Sequence, residues 1–135
     1  MEKALKNIPI KIVLSMILVV IAACPAAYAA PESTAELIMF EQDGCEWCEV
    51  WNEQIAPIFP KTPEGKCASF QRVDIHDESA GLLQKVKPIV YTPTFVVMEN
   101  GKEVGRVLGY AGEDFFWFLL REQLRKLAKK CFLPD

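Results

Sequence analysis

The sequence predicts an α/β domain in a minimal form: a mixed four-stranded sheet with helices on both faces. Three observations predict it. Apolar residues recur at strand spacing and then at helix spacing, in the order strand-helix-strand-helix-strand-strand-helix, or βαβ-α-ββα. The opening strand, helix and strand form a right-handed βαβ unit, which makes the first two strands parallel. Asn100-Gly101, between the last two strands, is a hairpin signal and makes that pair antiparallel.

The chain has 135 residues, 15 basic and 18 acidic, with five cysteines and one histidine. That length suits one domain. The mild negative charge lacks the basic footprint of a nucleic-acid-binding protein, and no internal repeat or low-complexity stretch is visible. The leading residues read as an address. Lys3, Lys6 and Lys11 precede the apolar run Ile12 to Ala23, and Ala27-Tyr28-Ala29 supplies the small residues of a cleavage site. The run is short for a membrane span and fits a secretory signal over residues 1–29. Ile21-Ala22-Ala23-Cys24 offers a second reading, a lipoprotein anchored through Cys24, against which Pro25 counts. Losing residues 1–29 removes three lysines and one glutamate and moves the net charge from −3 to −5. Residues 30–36 read as a linker and 37–135 as the domain.

Leu37 to Phe40 is a continuous apolar run, the pattern of a strand buried on both faces. Gly44-Cys45 turns the chain into a helix whose Trp47, Trp51, Ile55 and Ile58 recur at helical spacing, while Glu46, Glu49 and Glu53 take another face. Pro57 and Pro60 bend or end it. Lys61 to Lys66 reads as loop, Phe70 to Ile75 as the second strand, and Ser79 to Val86 as a short helix stopped before Pro88. Thr94 to Met98 and Glu103 to Leu108 are the hairpin strands. Asp114 to Lys130 is the last helix, with Phe116, Leu120, Leu124, Leu127 and Cys131 along one side and a basic end that complements the helix dipole. Phe115 to Leu120 is six apolar residues in a row, mostly core, with a surplus beside Tyr110 that borders a partner groove.

The chemistry points to Cys45-Glu46-Trp47-Cys48. This C-x-x-C lies where a buried strand runs into a helix, so the first sulfur meets the unpaired N–H groups and positive dipole end that stabilise a thiolate. The second sulfur lies one helical turn on, within reach of a disulfide. Cys45 is the expected exposed attacking thiol. Cys48, on the side of Trp51, Ile55 and Phe59, is the sheltered resolving thiol. Half of a zinc site and a static bridge are the rivals; for zinc, His76 and Cys67 do not supply two more ligands at short spacing, and no metal is expected. His76 reads as a solvated loop residue.

Thr92-Pro93-Thr94 opens an inner strand, a poor place for a residue without an N–H. In a redox domain of this order it is where a cis-proline packs beside the disulfide and the Thr92 backbone pairs with an extended substrate; a plain proline at the start of a strand is the other reading. Cys67 and Cys131 fall at the opposite end of such a sheet, either bridged or as two free thiols. A bridge would close a 64-residue loop.

The strand, the C-x-x-C helix, Thr92-Pro93-Thr94, Asn100-Gly101 and the late Gly109 resemble the thioredoxin superfamily over nearly the whole exported chain. Phe40-Glu41-Gln42, Glu53 to Pro57, Tyr91 to Phe95 and Gly109 to Trp117 are similar to the SoxS-type thioredoxin-like proteins of sulfur-oxidising bacteria. The resemblance implies a periplasmic thiol–disulfide reductase, monomeric and without cofactor. It would keep a sulfur-carrier protein reduced and be recharged by a membrane thiol-electron transporter. Trp47, Thr92, Pro93, Gly109 and Tyr110 would meet the substrate. A general periplasmic reductase or isomerase, for instance in cytochrome c maturation, and a copper-binding chaperone are the alternatives. Two departures from thioredoxin stand out: Glu46-Trp47 replaces the usual Gly-Pro, and Met39 stands where a carboxylate serves the resolving thiol. Glu41 or solvent is then left as the proton acceptor. Asp43, Glu46 and Glu49 around the pair disfavour thiolate and predict a reductant rather than a strong oxidant.

Overall fold

The chain divides into Met1–Glu32 and Ser33–Asp135. The computed structural model describes residues 34–77, 81–128 and 131, within the second unit. The signal segment 1–29 and the lipidation alternative at Cys24 lie outside the described residues.

Strand β1 (Ala35–Glu41) leads to helix α1 (Glu46–Gln54), a 3-10 turn at Phe59–Lys61, helix α2 (Pro63–Cys67) and strand β2 (Ser69–Asp74). A 3-10 turn at Leu83–Lys85 precedes the hairpin β3 (Thr94–Glu99) and β4 (Lys102–Leu108), and α3 (Glu113–Leu124) follows. The sheet order is β2-β1-β3-β4. β1 is parallel to β2 and antiparallel to β3, and β3 is antiparallel to β4. The mixed four-stranded α/β sheet is therefore the one expected.

Period-two alternation splits β1 and β3 between two cores. Leu37, Met39, Phe95 and Val97 face α1 and α3, where Trp51, Ile55, Phe59, Phe116 and Leu120 are buried. Trp51 is the hub, its ring 5.1 Å from Phe70 and Phe95 and 5.5 Å from Phe116. Ile38, Phe40, Val96 and Met98 face the other way, under Leu82, Leu83, Val86 and Ile89. That second cover is a 3-10 turn with extended flanks among the described residues, where a helix over Ser79 to Val86 was expected; residues 78–80 lie outside the description. Gly81 at positive φ and Pro88 leave little room for a regular helix between them.

Three other boundaries differ. The linker ends earlier than expected, because Ala35 and Glu36 already pair with Glu99 and Met98. The loop at Lys61 to Lys66 contains α2, started by Pro63 and capped by Thr62 Oγ1, which accepts from Gly65 N–H at 3.1 Å. A Cβ at Gly65 would stand 2.0 Å from the Phe59 carbonyl oxygen, so only glycine fits that turn. The last helix ends at Leu124 rather than Lys130, and Arg121 is the basic residue of its last turn. Leu127 is buried beyond the helix end.

Candidate active site

The strand registers bring three loops to one end of the sheet. Phe40, near the end of β1, pairs with Thr94 at the start of β3, and Thr94 pairs with Leu108 at the end of β4. The Cys45 turn, the Thr92-Pro93 segment and Gly109-Tyr110 therefore share that end.

Gly44, at φ +72°, makes the turn out of β1, and Cys45 N–H returns to the Gln42 carbonyl. Cys45 then takes the N-cap of α1, its Sγ accepting from Cys48 N–H at 3.2 Å. The two cysteines are joined as a disulfide with Cα atoms 5.2 Å apart. Cys48 is 2% exposed and Cys45 8%, so the expected contrast between an exposed and a sheltered thiol is a modest gradient here. The capping role explains it, since the Cys45 sulfur is turned back over the first turn of α1. The first turn also carries Glu46 and Glu49.

Beside the disulfide lies a cavity of about 210 Å³, whose lining includes Cys45, Cys48, Asn52 and four acidic residues, Glu41, Asp43, Glu49 and Asp74. Glu41 Oε2 accepts from Asn52 Nδ2 at 2.9 Å, and its Oε1 is 3.6 Å from Arg72 Nε. Met39 is fully buried in the main core.

The peptide bond Thr92–Pro93 is cis, and Pro93 is buried. Its carbonyl accepts from Gly109 N–H at 2.8 Å, and Thr94 Oγ1 donates to the Tyr91 carbonyl at 2.6 Å. Before it, Val90 and Tyr91 are strongly exposed, as is Trp47 between the cysteines. Arg106 donates to the Lys87 and Pro88 carbonyls at 3.0 and 3.2 Å, and Glu103 Oε2 accepts from Lys87 N–H at 2.9 Å. Arg106 and Glu103 are themselves joined through two hydrogen bonds of 2.7 and 2.8 Å. Burial would raise the Glu103 carboxyl, but the bonds from Arg106 and Lys87 outweigh it and hold the group below its ordinary value.

Tyr110 was expected to meet substrate, yet its side chain turns inward. It is 6% exposed, and its hydroxyl donates to Gln54 Oε1 at 2.7 Å. Burial, followed by the Glu113 charge, pushes the phenol above its ordinary value. The apolar run 115–120 is less buried than expected: Phe116 and Leu120 are core, Trp117 is half-buried, and Phe115, Phe118 and Leu119 face solvent. His76 is exposed and near the site only through its backbone, which donates to Asp74 Oδ1.

Cys67 and Cys131 are joined at the far end, Cα atoms 5.5 Å apart. Nearby in sequence, Glu64 is 1% exposed and its Oε1 accepts from Arg121 Nε at 2.7 Å. No cluster of three or more metal-ligating side chains occurs among the described residues, and none of their helices is long and apolar enough to cross a membrane.

Asn52, Arg72 and the Glu103–Arg106 pair escaped the sequence reading. In a regular strand, residues three apart face opposite ways. Here β4 carries a register shift opposite Val97 and Met98, with Gly105 and Glu103 as their partners and Val104 as the extra residue. That bulge brings positions 103 and 106 to one side, and no motif announces it.

No family model and no curated protein sequence matches the chain. Solved structures do. The chain is similar to the periplasmic thioredoxin SoxS from Paracoccus pantotrophus in its reduced form, at 43% identity with a TM-score of 0.64, over 68% of this chain and 97% of that one. It is also similar to the thioredoxin Mala s 13 of Malassezia sympodialis, at 30% identity with a TM-score of 0.51, over 67% of this chain and 76% of that one.

Proposed function

The chain belongs to the thioredoxin superfamily, is SoxS-like, and is a thiol–disulfide oxidoreductase; from that premise we propose that it is an exported reductase that keeps a sulfur-carrier protein in its thiol form. The observation that carries this reading is the Cys45–Cys48 pair at the N-terminus of α1, in a chain 43% identical to a periplasmic SoxS. The basic, apolar and small-residue pattern of residues 1–29 supports export.

In the proposed cycle the reduced protein presents Cys45 as a thiolate, held by Cys48 N–H and the end of the helix dipole. Cys45 attacks one sulfur of the client disulfide and expels the other client sulfur as a thiolate. Cys48 then attacks Cys45 Sγ, the second client sulfur leaves, and the pair ends as the disulfide. Two electrons have passed from the cysteine pair to the client, so no organic cofactor or metal is needed. A membrane thiol-electron transporter returns them. Trp47, the Thr92 backbone, Pro93 and Gly109 form the client surface in this reading, with Val90 and Tyr91 beside them.

Removing the resolving thiol tests it. In cells producing Cys48→Ser, Cys45 should remain covalently joined to its client, whereas Cys45→Ser should trap nothing. One sulfur-carrier protein on Cys45 is the expected result. A scatter of exported proteins would instead make this a general reductase. No adduct at all, with tight copper binding through both cysteines, would replace it with a metal chaperone.

A further inference from the structure

Resolution requires Cys48 to lose a proton in a nearly closed setting. The sulfur attacks as a thiolate, yet Cys48 is 2% exposed, and Glu49, the acidic residue of its own helix turn that reaches the cavity, is solvent-exposed. Of the acidic residues lining the cavity beside the disulfide, Asp43 and Glu49 are exposed, whereas Glu41 is half-buried and held by a hydrogen bond from α1. Glu41 closes the end of β1 and lines the same cavity as Cys48. Two groups aim it: Asn52 Nδ2 at 2.9 Å from Oε2, and Arg72 Nε at 3.6 Å from Oε1. Asn52 lies four residues after Cys48 on α1, hence on the same helix face. Its amide oxygen is buried and has no hydrogen-bond partner among the described residues. A buried acceptor without a donor is costly, and the disulfide has no hydrogen to give; the reduced pair does.

We propose that Glu41 is the proton acceptor for Cys48 and that Asn52 is the positioning residue that orients it. The assignment rests on the reductase reading above. When Cys48 attacks Cys45 Sγ, its thiol proton crosses the cavity to the Glu41 carboxylate, the new sulfur–sulfur bond forms, and the Cys45–client bond breaks. Glu41 then gives that proton to the departing client thiolate, directly or through solvent, which restores the carboxylate. The remaining charges around this path are Asp43 on the turn, Glu49 on α1, and Arg72 and Asp74 on β2. Only Arg72 is cationic, and it faces Glu41.

The test separates the two thiol steps. The reduced protein is mixed rapidly with substoichiometric dithiobis(nitrobenzoate). Cys45 attack releases a first coloured thiolate and Cys48 resolution a second; Cys48→Ser marks the first phase alone. Glu41→Gln is expected to slow the second phase about a hundredfold at pH 7, the low end of general-base effects, and to leave the first within about twofold. The deficit should shrink above the ordinary thiol range, about pH 8.5, where solvent removes the proton. Asn52→Ala should slow the second phase in the same sense, and Glu41→Asp should recover part of the rate. Charge alone predicts the opposite sign, since removing a carboxylate favours the thiolate and speeds resolution. A second phase in Glu41→Gln as fast as or faster than in the parent protein overturns the proposal. Equal slowing of both phases also overturns it, by making Glu41 merely structural. If the parent protein releases neither thiolate, the reductase reading itself falls, and this assignment with it.

Discussion

At the scale of single residues, the site is a contest between one stabilising cap and several opposing charges. Cys48 N–H and the end of the α1 dipole stabilise a Cys45 thiolate. Glu46 and Glu49, in the same first turn, and Asp43 on the preceding loop work against it. All three are solvent-exposed, so their effect is screened and modest. Replacing Glu46 and Glu49 together by Gln should lower the Cys45 thiol pKa by a few tenths of a unit to about one unit. The check is iodoacetamide reactivity against pH at low salt, with the difference shrinking in high salt. An unchanged or raised value would remove the charge argument. The cysteine pair was legible in the sequence because strand, turn and helix are each written locally around it. Burial of Cys45 was not, because the N-cap geometry that folds its sulfur inward is a backbone property.

At the scale of elements, the segment ahead of Pro93 is held by its neighbour strand rather than by a regular structure of its own. Arg106 on β4 grips the Lys87 and Pro88 carbonyls while Glu103 receives Lys87 N–H. Val90 and Tyr91 are thereby presented at the site end. Arg106→Met should raise KM for a protein disulfide several-fold, with a smaller change in kcat, because it loosens the proposed client surface and leaves both sulfurs in place; equal KM values would contradict this. The same clamp sets a pH dependence. The Glu103 carboxyl lies below its ordinary value in the folded chain, so the unfolded chain binds the proton first as pH falls. Its stabilisation is present above the ordinary carboxylate range and is lost as pH drops through the lowered value. Urea unfolding between neutral and acid pH should show a shallower loss in Glu103→Gln, which has already given up that contribution. The clamp was illegible in sequence because it depends on the β4 bulge. The short α2 was missed because its helix signals, Thr62, Pro63 and Gly65, are also turn residues.

At the scale of the molecule, function and fastening lie at opposite ends of one sheet. The redox pair, Thr92–Pro93 and Gly109 gather where β1 ends and β3 begins. The Cys67–Cys131 bridge ties α2 to the chain beyond α3, and the buried Glu64 of α2 bonds Arg121 of α3. In the chain-entropy model a bridge closing 64 residues contributes up to about 4 kcal/mol. The overall fold was readable because its order of elements admits few topologies. The cover of the second sheet face was not, since a 3-10 turn leaves no long amphipathic repeat to find.

In the proposed reductase, Cys45–Cys48 is the working couple and donates electrons. The most direct test of that role is the reduction potential of the whole protein, equilibrated against glutathione and dithiothreitol and followed by mass labelling of each cysteine. The account predicts that Cys45 and Cys48 titrate together near the thioredoxin end of the scale, around −270 mV. It further predicts that Cys67 and Cys131 stay paired at more reducing poise, and that replacing both by Ser leaves the Cys45–Cys48 value unchanged. A Cys45–Cys48 value near −120 mV, at the strongly oxidising end, would make the protein an oxidant and contradict the account.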